Sequence, residues 1–201
     1  PMPPDMKAAG MPPVWSSYVY VTDAEATVAK AAELGATVLM PVMKVMDQGW
    51  LAFLQDPSGA AFGLWQPNQH KGAEWVNSVG GFCWNELYTP DVDQSIAFYE
   101  KLFGWEFTSQ TLPDSKIYWV FKNEDNANGG MMKIMPEWGE VPPHWAVYFT
   151  VESCTGALAE AESLGAKVFL PPTTNPDIGT FAGIQDPQGA HFLIIEMHKQ
   201  G

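Results

Sequence analysis

Arginine is absent from this 201-residue chain: all ten cations are lysines, set against 23 aspartates and glutamates. The planar fork most used on phosphates and guanine edges is therefore missing, and a formal charge of −13 repels polyanions. Nucleic acid is excluded as a general partner, and an anionic membrane surface is disfavoured for the same reason. Cysteine is scarce. Cys83 and Cys154 make no disulfide framework and sit in no CxxC-type metal spacing, so both read as reduced, packed thiols. No window approaches the roughly 18–20 apolar residues of a spanning helix. The first seven residues lack a basic segment followed by an apolar one, so a cytoplasmic location is expected, with the start on Pro1 suggesting a missing N-terminus. No Gly-rich phosphate loop occurs, and Gly80-Gly81 and Gly129-Gly130 read as turn glycines.

What the chain does have is a core-forming composition, 46% hydrophobic and only 16% charged, and an internal repeat. Pro12-Pro13-Val14-Trp15 recurs as Pro142-Pro143-His144-Trp145, and Leu34-Gly35-Ala36 as Leu164-Gly165-Ala166. Asp56-Pro57-Ser58-Gly59-Ala60 recurs as Asp186-Pro187-Gln188-Gly189-Ala190, always 130 residues on. Between residues 12–66 and 142–196, 21 of 55 positions are identical.

Each copy reads as strand, helix, then three strands. Residues 15–21 and 145–151 are aromatic and β-branched; Asp23 and Ser153 are N-cap candidates; Gly35 and Gly165 end the helices. Strands at 37–40 and 167–170 are expected to stop at Pro41 and Pro171, and the Asp-Pro-x-Gly turns join the last two strands. Residues 79–140 repeat the order with another sequence: a strand at 81–88, a helix capped by Asp91 and ended by Gly104, and strands at 105–110, 117–122 and 131–135. The chain therefore reads as α+β, with three βαβββ units. Residues 1–71 are expected to be the second half of a first module plus a linker, and residues 72–201 a complete module of two units.

These paired βαβββ units resemble the vicinal oxygen chelate superfamily of glyoxalases, bleomycin-resistance proteins and extradiol dioxygenases. The resemblance rests on residues 95–105 (Ser-Ile-Ala-Phe-Tyr-Glu-Lys-Leu-Phe-Gly-Trp) and on Asp186-Pro187-Gln188-Gly189-Ala190. Trp84-Asn85-Glu86-Leu87, with an Asp-Pro-x-Gly-Ala-x-Phe close to both repeats, is similar to its tandem glyoxalase-like branch. The resemblance implies mixed sheets curled into a cup around a divalent metal, held by His, Gln or Glu on the first and last strands. The corresponding positions here are Trp84, Ala146 and Leu193, and Ser16 and Gly63 in the first copy, none of which is a good ligand.

Strand alternation from those positions lines the implied cup with Trp84, Glu86, Tyr88, His144, Tyr148, His191 and Leu193, joined by Tyr118. Glu86 is the sharpest candidate. A carboxylate in an otherwise aromatic strand is costly to bury unless paired, and suits proton transfer; the alternative is a rim position, solvated or accepting a tyrosine hydroxyl. His191 and His144 replace Ala61 and Val14 of the first copy, so the scaffold does not require them. Glu86 and His191 are the catalytic candidates; Trp84, Tyr88, Tyr118, His144, Tyr148 and Leu193 are the ligand-binding ones. Gln66 and Glu196 have the parity of the outer face, Trp15 and Trp145 read as core, Met40, Met43 and Met46 as a loop, and Cys154 as a helix-start thiol of slightly lowered pKa.

The expected function is glyoxalase-like, with degenerate metal sites, no cofactor, and a small apolar or aromatic metabolite bound in the second cup. One alternative is a metal-dependent lyase or dioxygenase using Glu86, His144 and His191. Another is a non-catalytic interaction protein, in which the incomplete module pairs with another chain or forms a homodimer.

Overall fold

A computed structural model describes residue 10, residues 12–112 and residues 114–198. Two compact units divide them. One consists of 16–74 and 84–145, the other of the described parts of 1–15, 75–83 and 146–201. Among the described residues there are three α-helices and twelve strands, following one another as three βαβββ units of an α+β fold.

In the first unit the chain forms β1 (Tyr18–Tyr20), α1 (Ala24–Glu33), β2 (Thr37–Val45), β3 (Gly49–Gln55) and β4 (Ala61–Pro67), bonded in the order β1-β4-β3-β2. The middle segment follows the same plan. It comprises β5 (Phe82–Thr89), α2 (Val92–Phe103), β6 (Glu106–Thr111), β7 (Ile117–Asn123) and β8 (Asn126–Lys133), in the order β5-β8-β7-β6. β1 runs parallel to β4 and β5 parallel to β8; the other pairings are antiparallel. In the second unit, β9 (His144–Thr150), α3 (Cys154–Ser163), β10 (Lys167–Asn175), β11 (Gly179–Gln185) and β12 (His191–Met197) are ordered β9-β12-β11-β10.

The helices begin where the sequence marks them. Asp23 accepts from the Ala26 amide at 3.0 Å, Asp91 from Gln94 at 3.0 Å, and the Ser153 hydroxyl from Gly156 at 3.2 Å. Gly104 closes α2 at φ 74°, a left-handed conformation that a β-carbon disfavours. β2 and β10, by contrast, do not stop at Pro41 and Pro171. Both run on to Val45 and Asn175, with register shifts spanning the prolines. Bulges on these outer strands accommodate a residue that has no N–H to donate. Met40 and Met43 accordingly lie on β2 instead of in a loop.

Within the first unit, α1 and α2 face one another and share one core. Phe62 of β4 meets Phe98, Tyr99 and Phe103 of α2 edge-on, and Trp105 stacks on Phe121 at 4.5 Å. Tyr99, 1% exposed, donates its hydroxyl to Asp56 at 2.8 Å and accepts from Trp145 Nε1 at 3.1 Å. Asp56 also holds the amides of Ser58 and Ala60 in its own turn, so one carboxylate ties the first-copy turn to the middle helix. Trp145 is core as expected; Trp15 is not. Its ring meets Phe149 and Phe192 edge-on and it stays 46% exposed. No helix among the described residues is long and apolar enough to cross a membrane.

Candidate functional site

The alternation of β5 separates two chemistries. Leu87 and Thr89, at 1% and 0% exposure, point to the helix side. Trp84, Glu86 and Tyr88 occupy the opposite face. There Trp84 Nε1 donates to the Tyr118 hydroxyl at 2.9 Å, and that hydroxyl donates to Glu86 Oε2 at 2.9 Å. Glu86 is buried, at 5% exposure, and it accepts a tyrosine hydroxyl. The two situations considered for it from sequence, burial and a tyrosine partner, thus occur together.

The network spans three strands, and the middle one permits it by having no side chain. Gly130 of β8 lies opposite Glu86 on one side and Val120 on the other. A β-carbon there would overlap the Tyr118 hydroxyl. Its neighbour Gly129 makes the same allowance on the helix side, where a β-carbon would overlap the Phe121 ring. The reading of Gly129-Gly130 as a turn is therefore corrected: both are mid-strand, and Gly130 is the site residue that sequence reasoning missed. Its signal was a glycine inside an otherwise extended stretch, which marks a close approach across a strand.

Burial first, and then the Glu86 carboxylate beside it, push the Tyr118 phenol far above its ordinary value, so it stays protonated and donating. Next to this group Tyr88 stacks on His144 at 5.0 Å and 19°, and meets Trp138 edge-on at 5.9 Å. His144 Nδ1 lies 2.8 Å from the Pro142 carbonyl. Since a carbonyl only accepts, Nδ1 carries the proton in that contact. Lys116 sits 5.9 Å above the Trp138 ring while paired to Asp114 at 2.8 Å. The structure thus joins Trp84, Tyr118 and Glu86 by hydrogen bonds, and Tyr88 and His144 by stacking.

The remaining candidates belong to the second unit. Tyr148 and Leu193 are register partners on β9 and β12, both buried. His191 is exposed at the start of β12, its ring edge-on to Phe169 at 5.1 Å. Glu196 points away from that strand face and accepts from the Cys154 amide at 2.9 Å, as Gln66 does from Ala24 at 2.8 Å. Cys154 does not have the lowered pKa expected of a helix-start thiol: burial, aided by the Glu196 carboxylate, raises it.

A divalent metal requires at least three convergent donors. Among the described residues no three His, Cys, Asp or Glu side chains are grouped in that way. The positions where the resemblance implies ligands carry an indole that already donates to Tyr118, a buried alanine and a buried leucine. In the first copy a β-carbon on Gly63 would press into the Tyr18 ring.

Comparison with known proteins agrees with this architecture. The chain is 41% identical over 200 residues to the "Putative glyoxylase CFP32" of Mycobacterium bovis, covering all of this chain and 76% of that protein. It is 33% identical over 190 residues to the anthracycline biosynthesis protein DauV of Streptomyces sp. strain C5, covering 94% of this chain and 68% of the other. The solved 2,2',3-trihydroxybiphenyl 1,2-dioxygenase of Sphingomonas wittichii shares the fold, with a TM-score of 0.58 at 13% identity over 91% of this chain and 68% of that one. Residues 77–194 match the profile of one family, and the chain belongs to it: the Glyoxalase/Bleomycin resistance protein/Dioxygenase superfamily.

Proposed function

We propose that this glyoxalase-like protein has degenerate metal sites and binds a small apolar or aromatic metabolite against the β5-β8-β7 face. Trp84, Tyr88 and His144 supply aromatic walls, and Glu86 is the polar anchor. The observation that carries this reading is the Trp84–Tyr118–Glu86 network, a buried carboxylate oriented by a tyrosine on the strand face that also carries the rings of Trp84 and Tyr88. Such a combination of apolar surface and one placed polar group is what small-molecule sites offer. A relative named for anthracycline biosynthesis is in keeping with an aromatic ligand.

Native mass spectrometry of the purified chain, compared with its denatured mass, tests the reading. An organic adduct is expected, and Glu86→Gln should weaken its retention about tenfold, the effect of losing one charge-assisted hydrogen bond. A stoichiometric divalent metal instead of an organic adduct would overturn it in favour of a lyase or dioxygenase.

A further inference from the structure

We infer that the helix side of the second unit, around Trp15, Asp186 and Phe192, is a docking surface for an amphipathic helix of the α2 pattern, presented by a partner polypeptide. The same surface residues occur twice in the repeat, and one set is covered while the other is open.

In the first unit the covering element is α2. Phe62 of β4, 1% exposed, meets Phe98, Tyr99 and Phe103 edge-on. The Tyr99 hydroxyl joins two groups, donating to Asp56 Oδ2 at 2.8 Å and accepting from Trp145 Nε1 at 3.1 Å. Leu34, at the end of α1, packs against the core that α1 and α2 share. In the second unit the counterparts of Phe62, Asp56 and Leu34 are Phe192, Asp186 and Leu164, and that of Trp145 is Trp15.

Asp186 Oδ1 accepts from the amides of Gln188 and Ala190, just as Asp56 Oδ1 accepts from Ser58 and Ala60. Among the described residues, however, nothing donates to Asp186 Oδ2 and nothing accepts from Trp15 Nε1. Trp15 is 46% exposed against 9% for Trp145, Leu164 is 71% exposed, and Phe192 is half-buried. The frame around this surface is nevertheless conserved between the copies. Pro143 is the nearest side chain to Gly59 and Pro13 to Gly189, so the Pro-Pro-x-Trp arm lies on the Asp-Pro-x-Gly turn in both. An indole donor, a carboxylate acceptor and a partly exposed phenyl ring together select their occupant. A hydroxyl can accept from the first and donate to the second at once, and aromatic neighbours on the same helix face can cover the third. Seating an apolar helix face on such a surface is a recurring mode of peptide recognition.

The probe is α2 itself, residues 90–105 as a synthetic peptide, locked by Ala97→Glu and a lactam from that glutamate to Lys101. Both positions are exposed on α2, and the lock reduces the ordering cost of a short helix. With helicity verified by circular dichroism, calorimetry should show saturable one-to-one binding to the full chain. Leu164→Glu alters an exposed residue and should weaken binding at least about tenfold by placing a charge in the apolar contact. Asp186→Asn keeps an acceptor for the turn and puts an amide donor in place of Oδ2. Tyr99→Phe in the peptide should therefore weaken binding to the parent chain about tenfold, and to Asp186→Asn by less than about twofold. No binding of the helical peptide up to about 1 mM would overturn the inference. So would binding indifferent to both Leu164→Glu and Asp186→Asn. A dimer of the parent chain in sedimentation, lost in Leu164→Glu, would also overturn it, by making a second copy the occupant.

Discussion

Gly130 and Tyr118 occupy one volume, and only one of them can have a side chain there. A methyl on Gly130 meets the phenol oxygen and the ring carbon bearing it. Gly130→Ala must therefore swing Tyr118 away, leaving Glu86 without that donor in a site only 5% exposed. The expected cost is about 1–3 kcal/mol from the disrupted buried hydrogen bond. In a Tyr118→Ala background the same substitution should cost far less, because the overlap with the phenol is gone. Urea denaturation of the four proteins in this cycle gives the coupling, expected at about 1 kcal/mol or more; additive effects would refute the steric account. Glu86 was legible in the sequence because a carboxylate among Phe82, Trp84 and Tyr88 contradicts the rest of its strand. Gly130 was not, because two adjacent glycines read as a turn unless the strand on either side of β8 is known.

At the scale of elements, the repeat preserves a strand-to-helix tie that conceals itself by changing residue type. Gln66 and Glu196 end their units, and each side-chain oxygen takes the first helical amide, that of Ala24 and that of Cys154. Those amides are among the donors a helix start leaves without an intrahelical partner. Gln66→Ala and Glu196→Ala should each destabilise by about 0.5–2 kcal/mol, as loss of a cap does. Glu196→Gln should keep the hydrogen bond and lose only the charge–dipole part, about 0.3–1 kcal/mol. Denaturant midpoints read at one slope check the ranking; Gln and Ala variants of equal stability at 196 would remove the tie from the account. Element order and helix caps were visible in the sequence because they depend on local signals such as Asp23, Asp91, Ser153 and Gly104. The extents of β2 and β10 were not: Pro41 and Pro171 stop a regular strand, whereas a bulged outer strand tolerates them, and bulging depends on pairing with β3 and β11. The exposure of Trp15 was hidden for a related reason, since identity with Trp145 fixes a place in the repeat but not the neighbours around it.

Across the whole molecule, two buried phenols make stability fall on the alkaline side. Tyr99 and Tyr118 both have folded pKa values raised above 10.0, the first by burial and then Asp56, the second by burial and then Glu86. An unfolded chain releases these protons near pH 10, while the folded protein retains them. Above that pH the native state binds more protons than the unfolded one, so stability declines as pH rises, and it is fully present below pH 10. Each phenol should contribute a slope of about 1.4 kcal/mol per pH unit. Tyr118→Phe removes one such contribution and Tyr99→Phe the other. Tyr99→Phe also costs stability at neutral pH, because Asp56 and Trp145 Nε1 lose the hydroxyl between them. Chemical denaturation between pH 9 and 11.5 should show each variant with a shallower decline than the parent. The rising negative charge acts on all three proteins alike, so the difference in slope isolates the phenols. A Tyr118→Phe variant declining as steeply as the parent would mean that its hydroxyl titrates near its ordinary value, which is incompatible with a buried donor held between Trp84 and Glu86.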